Sequence, residues 1–159
     1  MKKILTATAV AAALAAGNAQ ALNDSKQFNV NITLTSVCTV SSVADLAFAY
    51  TSLQATPVSA TGGGFTVTCT NALPYTFGLQ AGAGPATPPG AASVPVTDNA
   101  VNLLYTLSLS NPGGTGNGLV QNYSVKGDMG ANQSGTCNNN VSCNNTGATN
   151  KIHTLIFNY

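Results

Sequence analysis

The chain contains no tryptophan, no arginine and no glutamate, and it has a single histidine. Charged residues make up only 6% of its 159 positions, five lysines against four aspartates. These absences exclude whole classes of function. Without a basic stripe there is nothing to hold a phosphate backbone, so nucleic acid is not an expected partner. No two aspartates stand close enough in sequence to suggest a general acid/base pair. No Gly-x-Ser-x-Gly elbow, phosphate-binding glycine loop or histidine-rich metal cluster occurs. Gly62-Gly63-Gly64 precedes a strand pattern, which reads as a turn or bulge. The sequence predicts neither an enzyme nor a cofactor. His153 is expected at an exposed or edge position of a terminal strand.

Long apolar runs are missing too, apart from Ile4–Ala16. That run follows Met1-Lys2-Lys3, is too short to span a bilayer, and leads into Ala19-Gln20-Ala21, a small-x-small cleavage site. Residues 1–21 are therefore expected to be a signal peptide of bacterial type, and no later segment is apolar enough to cross a membrane. The mature chain, from Leu22, keeps Lys26, Lys126 and Lys151 against Asp24, Asp45, Asp98 and Asp128, a net charge of −1. Asn, Thr, Ser and Gly supply its polarity. Six Asn-x-Ser/Thr triplets are an expected accident of so much asparagine.

What is present is alternation. Phe28-Asn29-Val30-Asn31-Ile32-Thr33-Leu34-Thr35 repeats apolar and polar residues with period two, the signature of a strand with one buried face. The pattern returns at Leu46, Phe48 and Tyr50, at Phe65–Thr70, at Tyr75–Gln80 and at Val101–Leu109, more weakly at Leu119–Lys126, and finally over Lys151–Tyr159. Turn residues punctuate these runs at 61–64, 71–74, 111–114 and 144–147. Ala81–Pro95, rich in Ala, Gly and Pro, is expected to be a long exposed loop. No mature segment carries a 3.6-residue stripe. Some seven short strands predict an all-β sandwich, immunoglobulin-like in type.

Four cysteines, Cys38, Cys69, Cys137 and Cys143, suit an oxidising compartment and allow three pairings. The short spacing of Cys137 and Cys143 favours a local loop, which would leave Cys38 with Cys69. A cross-link closing about 32 residues would add roughly 3–4 kcal/mol in the chain-entropy model. Zinc is the competing use, but the C-x-x-C knuckles it prefers are missing. The 137–143 loop could offer amide oxygens to calcium, without a carboxylate to make the site tight.

Gln27–Leu34 followed by Cys38-Thr39-Val40 resembles the N-terminus of the spore coat protein U family, which includes the pilins of archaic chaperone–usher pili. The similarity continues through Leu46-Ala47-Phe48, Gly63–Thr70 with its Thr-Cys ending, Pro74-Tyr75-Thr76-Phe77, Leu103–Leu107, Tyr123–Gly127 and the closing Gly147–Tyr159. The order and spacing of these motifs carry the resemblance. The chain departs from the family at Phe48-Ala49, where Phe-Gly is usual, and over Gly147–Lys151. The Cys137/Cys143 loop is not carried over from it.

The resemblance implies an incomplete sandwich of residues 37–159, preceded by a donor segment, residues 22–36. A periplasmic chaperone would lend the missing strand until a neighbouring subunit's N-terminal segment replaces it at an outer-membrane usher. Phe28, Val30, Ile32 and Leu34 would then plug the groove of the adjacent subunit. The chain is expected to end on its last strand at Tyr159, with no residue left for a further one. The implied product is a shaft or adaptor subunit of a surface pilus serving adhesion and biofilm formation, exported to the periplasm and then to the cell surface. Two alternatives remain open: a spore or cyst coat protein of the same fold, and a monomeric secreted binding module. In either case Phe28–Leu34 could instead be the first strand of its own sandwich.

Overall fold

A computed structural model describes residues 24–138 and 142–159. The expected signal peptide lies outside them, as does the centre of the 137–143 loop. Residues 24–33 belong to one unit and Leu34–Tyr159 forms another.

The second unit is all-β. Among the described residues eleven strands and no helix form. They are β1 (Cys38–Val40), β2 (Leu46–Ala47), β3 (Val58–Ser59), β4 (Thr61–Gly62), β5 (Gly64–Cys69) and β6 (Pro74–Ala81). After them come β7 (Ser93–Thr97), β8 (Leu104–Leu109), β9 (Gly113–Thr115), β10 (Gln121–Met129) and β11 (His153–Asn158). One sheet runs β1-β5-β10-β8-β7, with β3 also paired to β10; a second runs β11-β6-β9; β2 and β4 make a small pair. All pairings are antiparallel.

Period-two patterning explains how the two larger sheets face each other. Phe65, Val67 and Cys69 of β5 are buried, and so are Tyr75, Phe77 and Leu79 of β6. Their intervening residues are mostly less buried, as expected of strands with one face on a core. Rings from both sheets meet between them. Phe65 lies edge-on to Phe77, which also stacks with Phe157 of β11, while Tyr123 of β10 approaches Phe65, Tyr75 and Phe77. The Tyr75 hydroxyl is hydrogen-bonded to Gln121 and Tyr123. Burial and that contact push its pKa up to about 12. The fold is thus a sandwich-like all-β arrangement.

Several boundaries differ from the sequence expectation: the run at Val101–Leu109 is a strand only from Leu104, and that at Leu46–Tyr50 only over Leu46–Ala47. The loop expected over Ala81–Pro95 ends earlier, because Ser93–Thr97 is a strand containing Pro95. β7 is an edge, and Pro95 occupies a position whose missing N–H would face away from β8, so the ladder loses nothing. The weak run at Leu119–Lys126 starts later and reaches Met129. Residues 24–37, despite their alternation, contain no strand.

Two disulfides form. Cys38 joins Cys69 at directly opposed positions of β1 and β5, and Cys137 joins Cys143. The triple glycine is a kink, with φ of 102° at Gly62 and 75° at Gly63. A Cβ at either would run into the backbone carbonyl of Asp45 or Val125.

Candidate functional site

β11 is an outer strand of its sheet, paired only with β6. Leu79 exchanges backbone hydrogen bonds with Ala91 on the side of β6 away from β11. By antiparallel alternation, Thr154 and Ile156 therefore direct their backbone groups at β6. Those of His153, Leu155 and Phe157 point to the other side, where no described strand pairs with them. The side chains of these same three residues share the inward face with Leu79 and Phe77. The edge thus presents free ladder positions directly above a row of inward side chains.

Beside this edge is a cleft of about 700 Å³. One wall is the segment 43–50, including Leu46, Phe48 and Tyr50; the floor includes Leu107, Val125 and Met129; the far wall is β11 with Leu155. Phe48 packs on Tyr105 with ring centroids 5.6 Å apart. These residues give the trough an apolar stretch, while Asp45, Asp98 and Lys151 line it as well.

One end of the trough is polar. The Tyr105 hydroxyl and His153 Nε2 are 2.7 Å apart, and the Gly82 amide approaches His153 Nδ1 at 3.5 Å. Asp98 is only 2% exposed. Its Oδ1 accepts from the Ala100 and Val101 amides and its Oδ2 from the Asn145 side chain. Burial alone would raise the Asp98 pKa; the hydrogen bonds from Val101, Asn145 and Ala100, with the charge of Lys151, outweigh it and hold the carboxyl below its usual range. Burial lowers the His153 pKa, and burial followed by the Asp98 charge raises that of Tyr105. His153 does lie on the terminal edge strand, but it is half-buried against Tyr105. Among the described residues no group of three or more His, Cys, Asp or Glu is placed to hold a metal ion.

The other residues singled out from sequence lie in the leading segment. Phe28 and Ile32 are 86% and 85% exposed, and Val30 and Leu34 are exposed too. The same alternation places Lys26 in phase with them, where it forms an exposed ion pair with Asp24. Sequence reasoning missed that Asp98, Tyr105, Asn145, Lys151 and His153 line one cleft, with Tyr105 against His153 and Asn145 against Asp98. The one available signal was a carboxylate, Asp98, in a chain with almost none.

A family model described as the Spore Coat Protein U domain matches residues 24–150. The chain belongs to this family. Its members are structural subunits of pilus or coat type, which assemble with related subunits. The Spore Coat Protein U domain and the two disulfides indicate an exported, extracellular protein. No curated protein and no solved structure matches the chain significantly. No described helix is long and apolar enough to cross a membrane.

Proposed function

We propose that the chain is a fibre subunit assembled by strand donation, in which the cleft beside β11 receives residues 28–34 of a neighbouring copy. The observation that carries this reading is the pairing of an unfilled apolar cleft under a free strand edge with an exposed segment of alternating apolar side chains. A strand laid on that edge would take the free ladder positions of His153, Leu155 and Phe157 and place every second side chain in the trough. Burying Phe28, Val30, Ile32 and Leu34 would contribute about 6–12 kcal/mol, at roughly 1.5–3 kcal/mol each, before ordering costs. It would also remove an exposed edge that invites aggregation.

In this reading residues 1–21 direct export, a periplasmic chaperone covers the cleft until assembly, and an outer-membrane usher exchanges the chaperone's strand for a subunit's. The product is a surface pilus that supports adhesion and biofilm formation, and the chain performs no catalysis. The family's description favours a coat as a second destination for the same exchange. A chaperone gene and an usher gene beside the coding sequence would mark the pilus.

The test is to produce residues 35–159 with and without a peptide of residues 22–35. The truncated domain is expected to melt early or aggregate alone and to be rescued by the peptide. Equal stability in both samples overturns the proposal.

A further inference from the structure

The polar end of the cleft holds the chain's only histidine in a hydrogen-bonding arrangement that depends on its charge. With the Gly82 amide donating to Nδ1, the proton of a neutral ring sits on Nε2 and is given to the Tyr105 oxygen. A second proton would have to sit on Nδ1, facing the Gly82 N–H. The surrounding charges offer an imidazolium little. Asp98 has both oxygens committed to Ala100, Val101 and Asn145. Lys151, a cation, lines the same cleft, as does Asp45 on the opposite wall.

Resting on the strand-donation reading, we propose that His153 makes occupancy of the cleft acid-labile, so that a filled cleft excludes a proton and protonation favours an empty one. A donated strand beside β11 would remove the remaining water around the ring, which penalises the charged form further. Burial already holds the pKa of His153 below its ordinary 6.5 in the open cleft. The sign follows by linkage. Above that ordinary value the ring is neutral whether the cleft is full or empty, and occupancy is unaffected. As pH falls through the lowered pKa of the open cleft, the empty state takes up the proton more readily than the filled one, and occupancy weakens.

The test uses polymers of the full mature chain, compared by unboiled electrophoresis after timed exposure to detergent at about pH 7.5 and about pH 5.5. Wild-type ladders are expected to break down faster at the lower pH, by up to about tenfold for each pKa unit between filled and empty states. His153→Gln keeps a donor for Tyr105 and cannot titrate, so its ladders should break down at the same rate at both pH values. Equal acceleration in wild type and variant overturns the role of His153 but leaves strand donation standing. A chain that forms no ladder at either pH overturns both. Should His153→Gln fail to fold, the sole imidazole of wild-type fibres can be followed by solid-state NMR. A ring that protonates at a lower pH in fibres than in the unassembled chain supports the proposal, and one that protonates at the same or a higher pH overturns it.

Discussion

The two ends of this sandwich are built from similar residues and packed very differently. At one end Phe65, Tyr75, Phe77, Tyr123 and Phe157 close over one another, with ring centroids 4.8–6.0 Å apart for the contacts among them. At the other, Phe48 and Tyr105 meet, and beside them a cleft of about 700 Å³ stays open. An interior packed like a crystal loses contact energy along any unfilled wall. The first end is thus a closed core, and the second is a core with an open cleft beside it.

Truncation should separate the ends most sharply. Phe77→Ala in the closed end is expected to cost about 3–5 kcal/mol, because the hole left there has no way to fill. Phe48→Ala should cost well under half of that in the isolated domain, since Phe48 is half-buried and lines space already open. Denaturant titration of both variants checks the ratio, and equal losses would erase the distinction between the ends.

The disulfides give the next largest contrast. Opening Cys38–Cys69 by double serine substitution is expected to cost about 3.7 kcal/mol, and opening Cys137–Cys143 about 2.4 kcal/mol, from the lengths of the loops they close. Thermal melts of the two double variants would order them. An effect of similar size to that of the shorter loop concerns the polar end of the cleft. The Asp98 carboxyl is held below its usual range, so the stability it contributes is present above its ordinary 3.8 and lost as pH falls through its lowered value. Asp98→Asn should flatten that acidic arm of the stability curve and cost about 1.5–3 kcal/mol at neutral pH, the worth of hydrogen bonds to a charged group.

Much of the closed end is legible from the residues alone. Phe65–Thr70 and Tyr75–Gln80 alternate cleanly, and the structure places their strands within one or two residues of those limits. Where the pattern misleads, the cause is local. Pro95 reads as loop, yet an edge position tolerates it. Gly127 weakens the signal of β10, although that strand needs it: a Cβ there would sit 2.6 Å from the Phe48 ring. The open end is harder to read, because Asp98, Tyr105, Asn145 and His153 come from loops and strands as much as 55 residues apart in sequence. Only the folded chain gathers them. Phe28–Leu34 is the opposite case. Its alternation is unmistakable, but a lone strand has no ladder to join, and the described segment is not one.

The Cys38–Cys69 bond also has a mechanical meaning. Any tension on the leading segment first meets the hydrogen bonds between Val37 and Thr70 and then Cys38, where the sulfur bridge hands it across to Cys69 at the end of β5. The three residue pairs of β1 therefore need not carry the load, and peeling them apart would not release the anchor. A reducing agent should take from a resting domain the stability its sulfur bridges contribute, and turn this tow-point into the first place to give when the chain is pulled.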